Sequence, residues 1–589
     1  MSYYDDPPTQ LADILYQRTN DQLKQLTPFC DACQGATRKD ELVRCIHKTM
    51  MTPDSLRQMW QQLDDISQKA VAAAYHNAGE FNADAFSAQY GQLPARPKKD
   101  QWSWYTEPIL LDLFIYDGRL PEDIIPLLAP LVPPPDKFQL KGVAESPQKL
   151  KFDSGAVVEL TCIETERAGL HDLLAYLRLV DEGQIKITAA SGRVTGASIN
   201  KIAAGLLDGD FFPLPEKIKA TDVIRPFGLD VFAQEAGLVS KARGRNELQL
   251  TEMGREYYQT RNPALLLEAF ETWSQEGTFD ELSRISAVKG QNGRGTRLTK
   301  PASRREVVVE ALSWCPVGEW IAIGDFYRAV KIWHFDFDVE TTAYSNLYVG
   351  HREYGALYGQ EYWLAVKGLY INAIIWEYLG SIGAVDLAFA PSERITWSVE
   401  FYTDDDLSLY DNLTHFRINN LGAYLLGQAR EYKPAVALDQ ALFVISPDLQ
   451  VSLLEPDQLT PNDQSLLEQV AVPEKSGYYR LNTAQLLTAL ENGANFEQLA
   501  DFLQQRHSGP LPEEVSTWLD KIDRNRQAFK ISDQALLITA ASPDLLELVQ
   551  NDPVLKKICT VTGSKTFVVP VRREKAFREQ LKALEYMLQ

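Results

Sequence analysis

The sequence predicts an α+β protein, mainly helical and multidomain, in which tandem winged-helix-like modules precede a C-terminal α+β domain. Three observations predict this class. A length of 589 residues exceeds what one hydrophobic core fills, and about 150 residues per domain gives roughly four domains. Apolar residues recur at helical spacing over much of the chain, interrupted by short alternating stretches of strand type. One local architecture occurs twice: Ala236 to Tyr258, and Ile382 to Ala390 with Phe416 to Leu426, each run through a helix end, a hairpin and a new helix, with Gly254 and Gly422 at matching positions.

Residues 1–100 read as an N-terminal helical module, because LADILYQRT, LKQLTPF, RKDELVRCIHKTM and LRQMWQQLDDISQKAVAAAYH place apolar residues three and four apart. The short helices around Gly35 resemble small helix-loop-helix modules that bind DNA or partners. Linker signals at Ala95 to Lys99 and Pro133 to Pro135 make 101–165 a connecting segment.

The first winged-helix-like module is placed at 166–283. AGLHDLLAYLRLVDEG is apolar at helical spacing, IKIT is a short strand, and GASINKIAAGLLDG is a second helix. Gly237 then closes a helix, a hairpin with a basic turn follows, and Thr251 opens the next helix, which is how a wing is built. A basic linker or loop is placed at 284–305 and the second winged-helix-like module at 306–432. The competing reading of the repeat is two unrelated hairpins that happen to follow helices.

Residues 433–589 read as a separate α+β domain. ALFVIS and VSLLEP are strands; Asn482 with Gln485 and Asn495 with Gln498 open helices that end near Gly493 and Gly509. In order, ALFVISPDLQVSLLEP, YYRLNTAQLLTALENGANFEQLADFLQQRHSGPLPEEVSTWL and TFVVPVRREKAFREQLKALEYML resemble the N-terminal domain of XPB-type DNA helicases, a domain also found in bacterial proteins without the helicase motor. The upstream stretches KITAASGRVTGASINKIAAGLLDGDFF, LQLTEMGREYY, RISAVKGQNGRGTRLT and CPVGEWIAIGDFYRAVK are similar to those of long bacterial helicase-associated proteins. The resemblance implies a role beside DNA transactions such as repair or defence, and it carries no catalytic residue onto this chain.

The charge balance narrows the functional classes. A formal net charge of -21 excludes a general nucleic-acid coat, since affinity for phosphates comes largely from Lys and Arg that displace counterions. DNA contact then requires local basic surfaces. Between Arg284 and Arg305 seven cations, Arg284, Lys289, Arg294, Arg297, Lys300, Arg304 and Arg305, occur without one carboxylate and among glycines. The first wing adds Lys241, Arg243 and Arg245, and these ten residues form the candidate DNA-contacting set. The competing reading is a solvated basic loop that pairs with the acidic body. The helix before each wing, FGLDVFAQEAG and LAVKGLYINAIIWEYLG, lacks the cationic face that reads base edges and suits a core or a protein interface.

Motifs for chemistry are missing. No phosphate-cradling GxxxxGK[ST] occurs; VTGSKT lacks its glycine spacing and reads as a hairpin turn, and GQNGRGTR opens no helix and reads as a flexible basic loop. The seven histidines are isolated, and HExxH and GxSxG are absent. Cys30, Cys33, Cys45 and His47 supply zinc-ligand types, but Cys45 and His47 point to different faces of a predicted helix, so a capping loop with a half-buried cysteine competes with a metal site. Asp404, Asp405 and Asp406 read as a solvated turn rather than a cation site. The aromatic run from Trp333 to Tyr378 reads as core, with a stacking platform for single-stranded DNA as the rival.

The expectation is therefore a cytoplasmic, non-catalytic, helicase-associated DNA-binding protein with no cofactor. Its partners are expected to be DNA, held by the backbone with weak sequence preference, and a separate helicase or nuclease; no membrane contact is expected. Cysteines too scattered for a disulfide framework, an acidic start and the lack of a long apolar run support that placement. The alternative is a protein-protein adaptor that recruits a helicase or nuclease without touching DNA.

Overall fold

The computed structural model describes residues 8–588 apart from 34, 99–105, 152–154, 156, 216–217, 342–345, 352–354, 391–406, 434–440, 455–458, 460, 476, 527 and 529–532. The chain is α+β and mainly helical. It divides into two compact units, residues to Leu438 with Thr460–Asn462, and Asp439–Leu459 with Asp463–Gln589.

The first unit opens with helices α1 (Leu11–Gln17), α2 (Asn20–Leu26), α3 (Lys39–Met51), α4 (Pro53–Gln62), α5 (Asp65–His76), α6 (Ala83–Tyr90) and α7 (Ile125–Leu128). Local chemistry starts them: Thr19 and Gln22 form a capping box on α2, Pro53 opens α4, and Asp64 accepts from the Ser67 amide at 2.7 Å before α5. Their apolar faces bury one core running from Leu11 to Leu128. That core takes in Leu111, Leu113, Phe114, Leu120 and Ile124, so the helical module continues past residue 100 into the segment expected to be a connector.

Two cysteines change the reading of the N-terminal cluster. Cys33 and Cys45 are joined by a disulfide, with their Cα atoms 5.5 Å apart. Sulfurs in a disulfide are not available as thiolate ligands, so the zinc set of Cys30, Cys33, Cys45 and His47 is overturned. Cys30 is buried, and burial pushes its thiol up to about 11.

A second core extends from Leu140 to Leu426 and holds both repeated modules. Strands β1 (Lys149–Lys151) and β2 (Val157–Glu159) form a hairpin, followed by β3 (Thr161–Ile163). The first module is α8 (Glu166–Asp181), a bridge residue Lys186 opposite Glu247, α9 (Gly196–Ala204), α10 (Arg225–Glu235) and the hairpin of β4 (Val239–Lys241) and β5 (Leu248–Leu250). Then come α11 (Glu252–Thr260), α12 (Pro263–Glu276) and β6 (Val288–Lys289). The second module is α13 (Pro301–Ser313), β7 (Trp320–Ala322), α14 (Ile323–Ile332), β8 (Tyr348–Val349), a long helix α15 (359–380), β9 (Val385–Phe389), β10 (Leu413–Ile418) and α16 (Asn420–Leu425). Its antiparallel sheet has the order β3-β9-β10-β7, so β3, from the expected connector, completes the second module's sheet.

The two halves of the sequence repeat have the same local build. Gly237 (φ +73) and Gly383 (φ +86) end a helix in the left-handed region. Thr251 caps the Gly254 amide and donates to the Gly237 carbonyl; Asn419 caps the Gly422 amide and donates to the Gly383 carbonyl. A Cβ on Gly254 would lie 1.9 Å from the Leu238 carbonyl oxygen and one on Gly422 2.0 Å from that of Ala384. The same close approach of helix to strand therefore demands glycine twice.

The second unit has two cores where one domain over 433–589 was expected. One lobe combines β11 (Phe443–Ile445), β12 (Gln450–Leu453), β13 (Ala471–Lys475) and β14 (Tyr478–Leu481), in the order β11-β12-β14-β13, with helices Pro461–Val470, Thr483–Glu491, Phe496–Arg506 and Glu513–Arg526. Asn482 and Asn495 cap the Gln485 and Gln498 amides, as the sequence predicts. The terminal lobe holds β15 (Ala535–Thr539), β16 (Thr560–Val561) and β17 (Thr566–Pro570), in the order β15-β17-β16, with helices Pro543–Asn551 and Glu574–Ala583. Leu442 to Ile522 supply the first core and Ile538 to Leu581 the second.

Candidate nucleic-acid interface

A hairpin brings the first-wing cations together. Val239, Leu248 and Leu250 turn into the core, and Lys241, Arg243 and Arg245 are exposed at the open end of β4 and β5. The turn is ordered: the Ala242 amide donates to the Glu247 carbonyl at 2.9 Å, the Arg245 amide donates to the Ala242 carbonyl at 3.2 Å, and Gly244 has φ +75. The Glu247 carboxylate accepts from Lys186 and from Arg245 at 3.1 Å, and these two bonds hold its carboxyl below the usual range. Lys186 is half-exposed beside the wing and was not in the candidate set; its signal was the short strand IKIT, whose bridge to Glu247 places it there.

The segment 284–305 is divided by its environment. Between Gly290 and Lys300 it is a loop stitched to its neighbours, unlike the flexible loop its glycines suggested. A Cβ on Gly290 (φ +89) would lie 2.2 Å from the Asn346 carbonyl oxygen, the Thr341 amide donates to the Arg297 carbonyl at 2.8 Å, and the Thr299 amide donates to the Val339 carbonyl at 2.9 Å. Lys289, Arg294, Arg297 and Lys300 are exposed along this stretch.

Arg284, Arg304 and Arg305 are corrections to the candidate set, because their side chains are 5%, 1% and 0% exposed. Arg284 donates to Glu377 at 2.9 Å and to the carbonyls of Ala220 and Val223, and lies over the Phe227 ring. Arg305 donates to Glu281 at 2.6 Å and to the carbonyls of Trp273 and Phe279. Arg304 lies 2.8 Å from Asp280 and over the Tyr370 ring. Burial pushes the carboxyls of Glu377 and Glu281 up, against the pull of Arg284 and Arg305. These cations tie the two modules together from within and face no solvent.

The helices preceding the wings are buried against each other. Arg225 to Ala233 of α10 and Trp363 to Gly380 of α15 are buried except Leu364, and a Cβ on Gly228 would lie 1.9 Å from the Glu377 carbonyl oxygen. Phe211 and Phe212 pack on Trp376, and Trp273 on Tyr378, across the same junction. Neither helix has a free face for a major groove. Trp363, Tyr370, Trp376 and Tyr378 belong to the core, as the sequence favoured. Trp314 is 57% exposed and packs on Trp333 and Phe335. Asp404, Asp405 and Asp406 lie outside the described residues. No group of His, Cys, Asp and Glu among the described residues is placed to hold a metal, and no described helix is long and apolar enough to cross a membrane.

The arrangement offers cations on an ordered turn and an ordered loop, and neither α10 nor α15 is free to read bases. A family model described as the helicase conserved C-terminal domain matches residues 443–563, which span the four-stranded lobe and reach the turn after β16. No curated protein matches the chain. The match ties this part of the chain to helicase-associated proteins.

Proposed function

We propose that this chain, with its helicase-related domain at 443–563, is a non-catalytic accessory protein that holds DNA by the backbone for a separate helicase or nuclease. The observation that carries the reading is two sets of exposed cations, Lys241, Arg243 and Arg245 on the hairpin turn and Lys289, Arg294, Arg297 and Lys300 along the 289–300 stretch, while both helices before the hairpins are buried. Cations without a groove-reading helix suit phosphates and predict weak sequence preference. The likeness of the second unit to XPB-type N-terminal domains, the winged-helix order of both modules, and a place in DNA repair or defence in the cytoplasm belong to this reading.

The test is DNA binding by the whole chain at two salt concentrations. Replacing Arg243, Arg294, Arg297 and Lys300 by Ala is expected to weaken binding equally for unrelated sequences and to flatten the salt dependence by roughly 0.7 to 0.9 in slope per lost phosphate contact. Unchanged affinity would remove this surface from the reading. The adaptor alternative draws on exposed Trp314 with its aromatic neighbours, and a parent protein that binds no DNA at low salt favours it.

A further inference from the structure

A second concentration of cations lies in the terminal lobe. From Pro553 to Lys582 eight Lys and Arg stand against two carboxylates, Glu574 and Glu579, whereas residues 442–526 carry thirteen carboxylates and six cations. Three short turns carry six of the exposed ones: Lys556 and Lys557 on the 3-10 turn Leu555–Lys557, Lys565 on the turn between β16 and β17, and Arg572, Arg573 and Lys575 where β17 passes into the last helix.

The fold brings the first and third of these turns together, and it places the second at the opposite end of β17, across Thr566–Pro570. Arg573 donates to the Lys557 carbonyl at 2.7 Å, which fixes the first turn against the third. The Thr562 and Gly563 amides both donate to the Thr566 carbonyl, so VTGSKT is a tight hairpin turn with Lys565 at its tip. Arg572 pairs with Asp533 at 2.8 Å and Arg578 with Glu574 at 2.7 Å. Lys557, Lys565, Arg573 and Lys575 make no ion pair among the described residues. Exposed hydroxyls of Thr562 and Ser564 flank Lys565, and Val554 and Val571 are 43% and 41% exposed beside the other turns.

We propose that the cationic face of the terminal lobe, with Lys557, Arg573 and Lys575 at one end of β17 and Lys565 at the other, is a second contact for the phosphate backbone of duplex DNA. Each cation stands on its own turn or helix start and none converges on a pocket, which suits a repeating line of phosphates better than one compact anion. Hydroxyl donors between the cations extend the same recognition, and the two valines can lie against deoxyribose. The inference rests on the reading of the chain as a DNA-contacting protein, but on none of the wing residues.

The experiment measures anisotropy of a fluorescein-labelled duplex with the full chain, its K557A/K565A/R573A/K575A variant, and the variant of Arg243, Arg294, Arg297 and Lys300. The terminal-lobe variant is expected to bind about tenfold or more weakly and to lose roughly 2 to 4 in salt slope, while the lobe still unfolds cooperatively despite the lost Arg573 to Lys557 bond. Parent-like affinity in that variant overturns this site and leaves the wing and loop surface standing. No binding by the parent overturns both. Displacement of the duplex by polyglutamate at equal charge concentration assigns the face to an acidic protein and overturns the nucleic-acid assignment.

Discussion

Arg284 and Arg297 lie in the same cationic run, yet their surroundings separate them by several kilocalories. Arg284→Ala leaves the fully buried Glu377 carboxylate without its partner, and the expected cost is about 3–5 kcal/mol of unfolding free energy. Arg297→Ala removes an exposed cation and should change stability by no more than about 0.5 kcal/mol, which denaturant titration of both variants checks. Asp230 supplies a pH dependence. It is 0% exposed, accepts from the Tyr176 hydroxyl at 2.8 Å, and burial pushes its carboxyl up to about 6. A folded value above the unfolded one, about 3.9, means that its contribution is fully present below about pH 4 and lost as pH rises through about 6. Asp230→Asn is therefore expected to remove a fall of about 1–3 kcal/mol across that window; an identical pH profile for parent and variant contradicts it. Exposure of single cations was only partly legible. The arginine run looked like one surface because its partners, Asp280, Glu281 and Glu377, lie outside it in sequence. Helical spacing did hold a signal: Arg304, Arg305, Val308, Ala311 and Leu312 fall on one face of α13, and all five are buried.

Among the elements, those with strong local chemistry were legible. Thr251 and Asn419 before a helix, glycine after one, and apolar strand residues between them mark a helix end, a strand pair and a new helix in each module. What those elements pack against was not legible, since Gly228 reads in sequence as an ordinary weak point in a helix. In space it is where α10 meets the backbone of α15. Gly228→Ala places a Cβ on the Glu377 carbonyl oxygen, a backbone atom that cannot rotate away. The expected result is a loss of about 1–3 kcal/mol or more, with a lower melting temperature for the first unit. Unaltered melting would mean that the helices have room to separate. Boundaries were the least legible feature: β3 and the apolar run to Leu128 come from what looked like a connector, because a few strand or core residues carry no periodicity long enough to detect.

For the whole molecule, the division at Asp439 and the two cores beyond it give a thermodynamic expectation. A fragment from Asp439 to Gln589 should fold and melt in two steps, with Leu486→Ala lowering only the step of the four-stranded lobe and Phe577→Ala only that of the terminal lobe. A single transition shifted alike by both substitutions would show that the lobes are energetically one. The internal packing of α10 on α15 has a different kind of consequence. Each pre-wing helix is the other's bound ligand, supplied by the same polypeptide, so its occupancy does not fall on dilution. The pair behaves as a complex tethered by residues 236–358, whose high effective concentration disfavours a competing helix from another protein. Cutting the chain between the modules would turn one fold into two halves of a split protein, each aggregation-prone alone and restored only by meeting its counterpart.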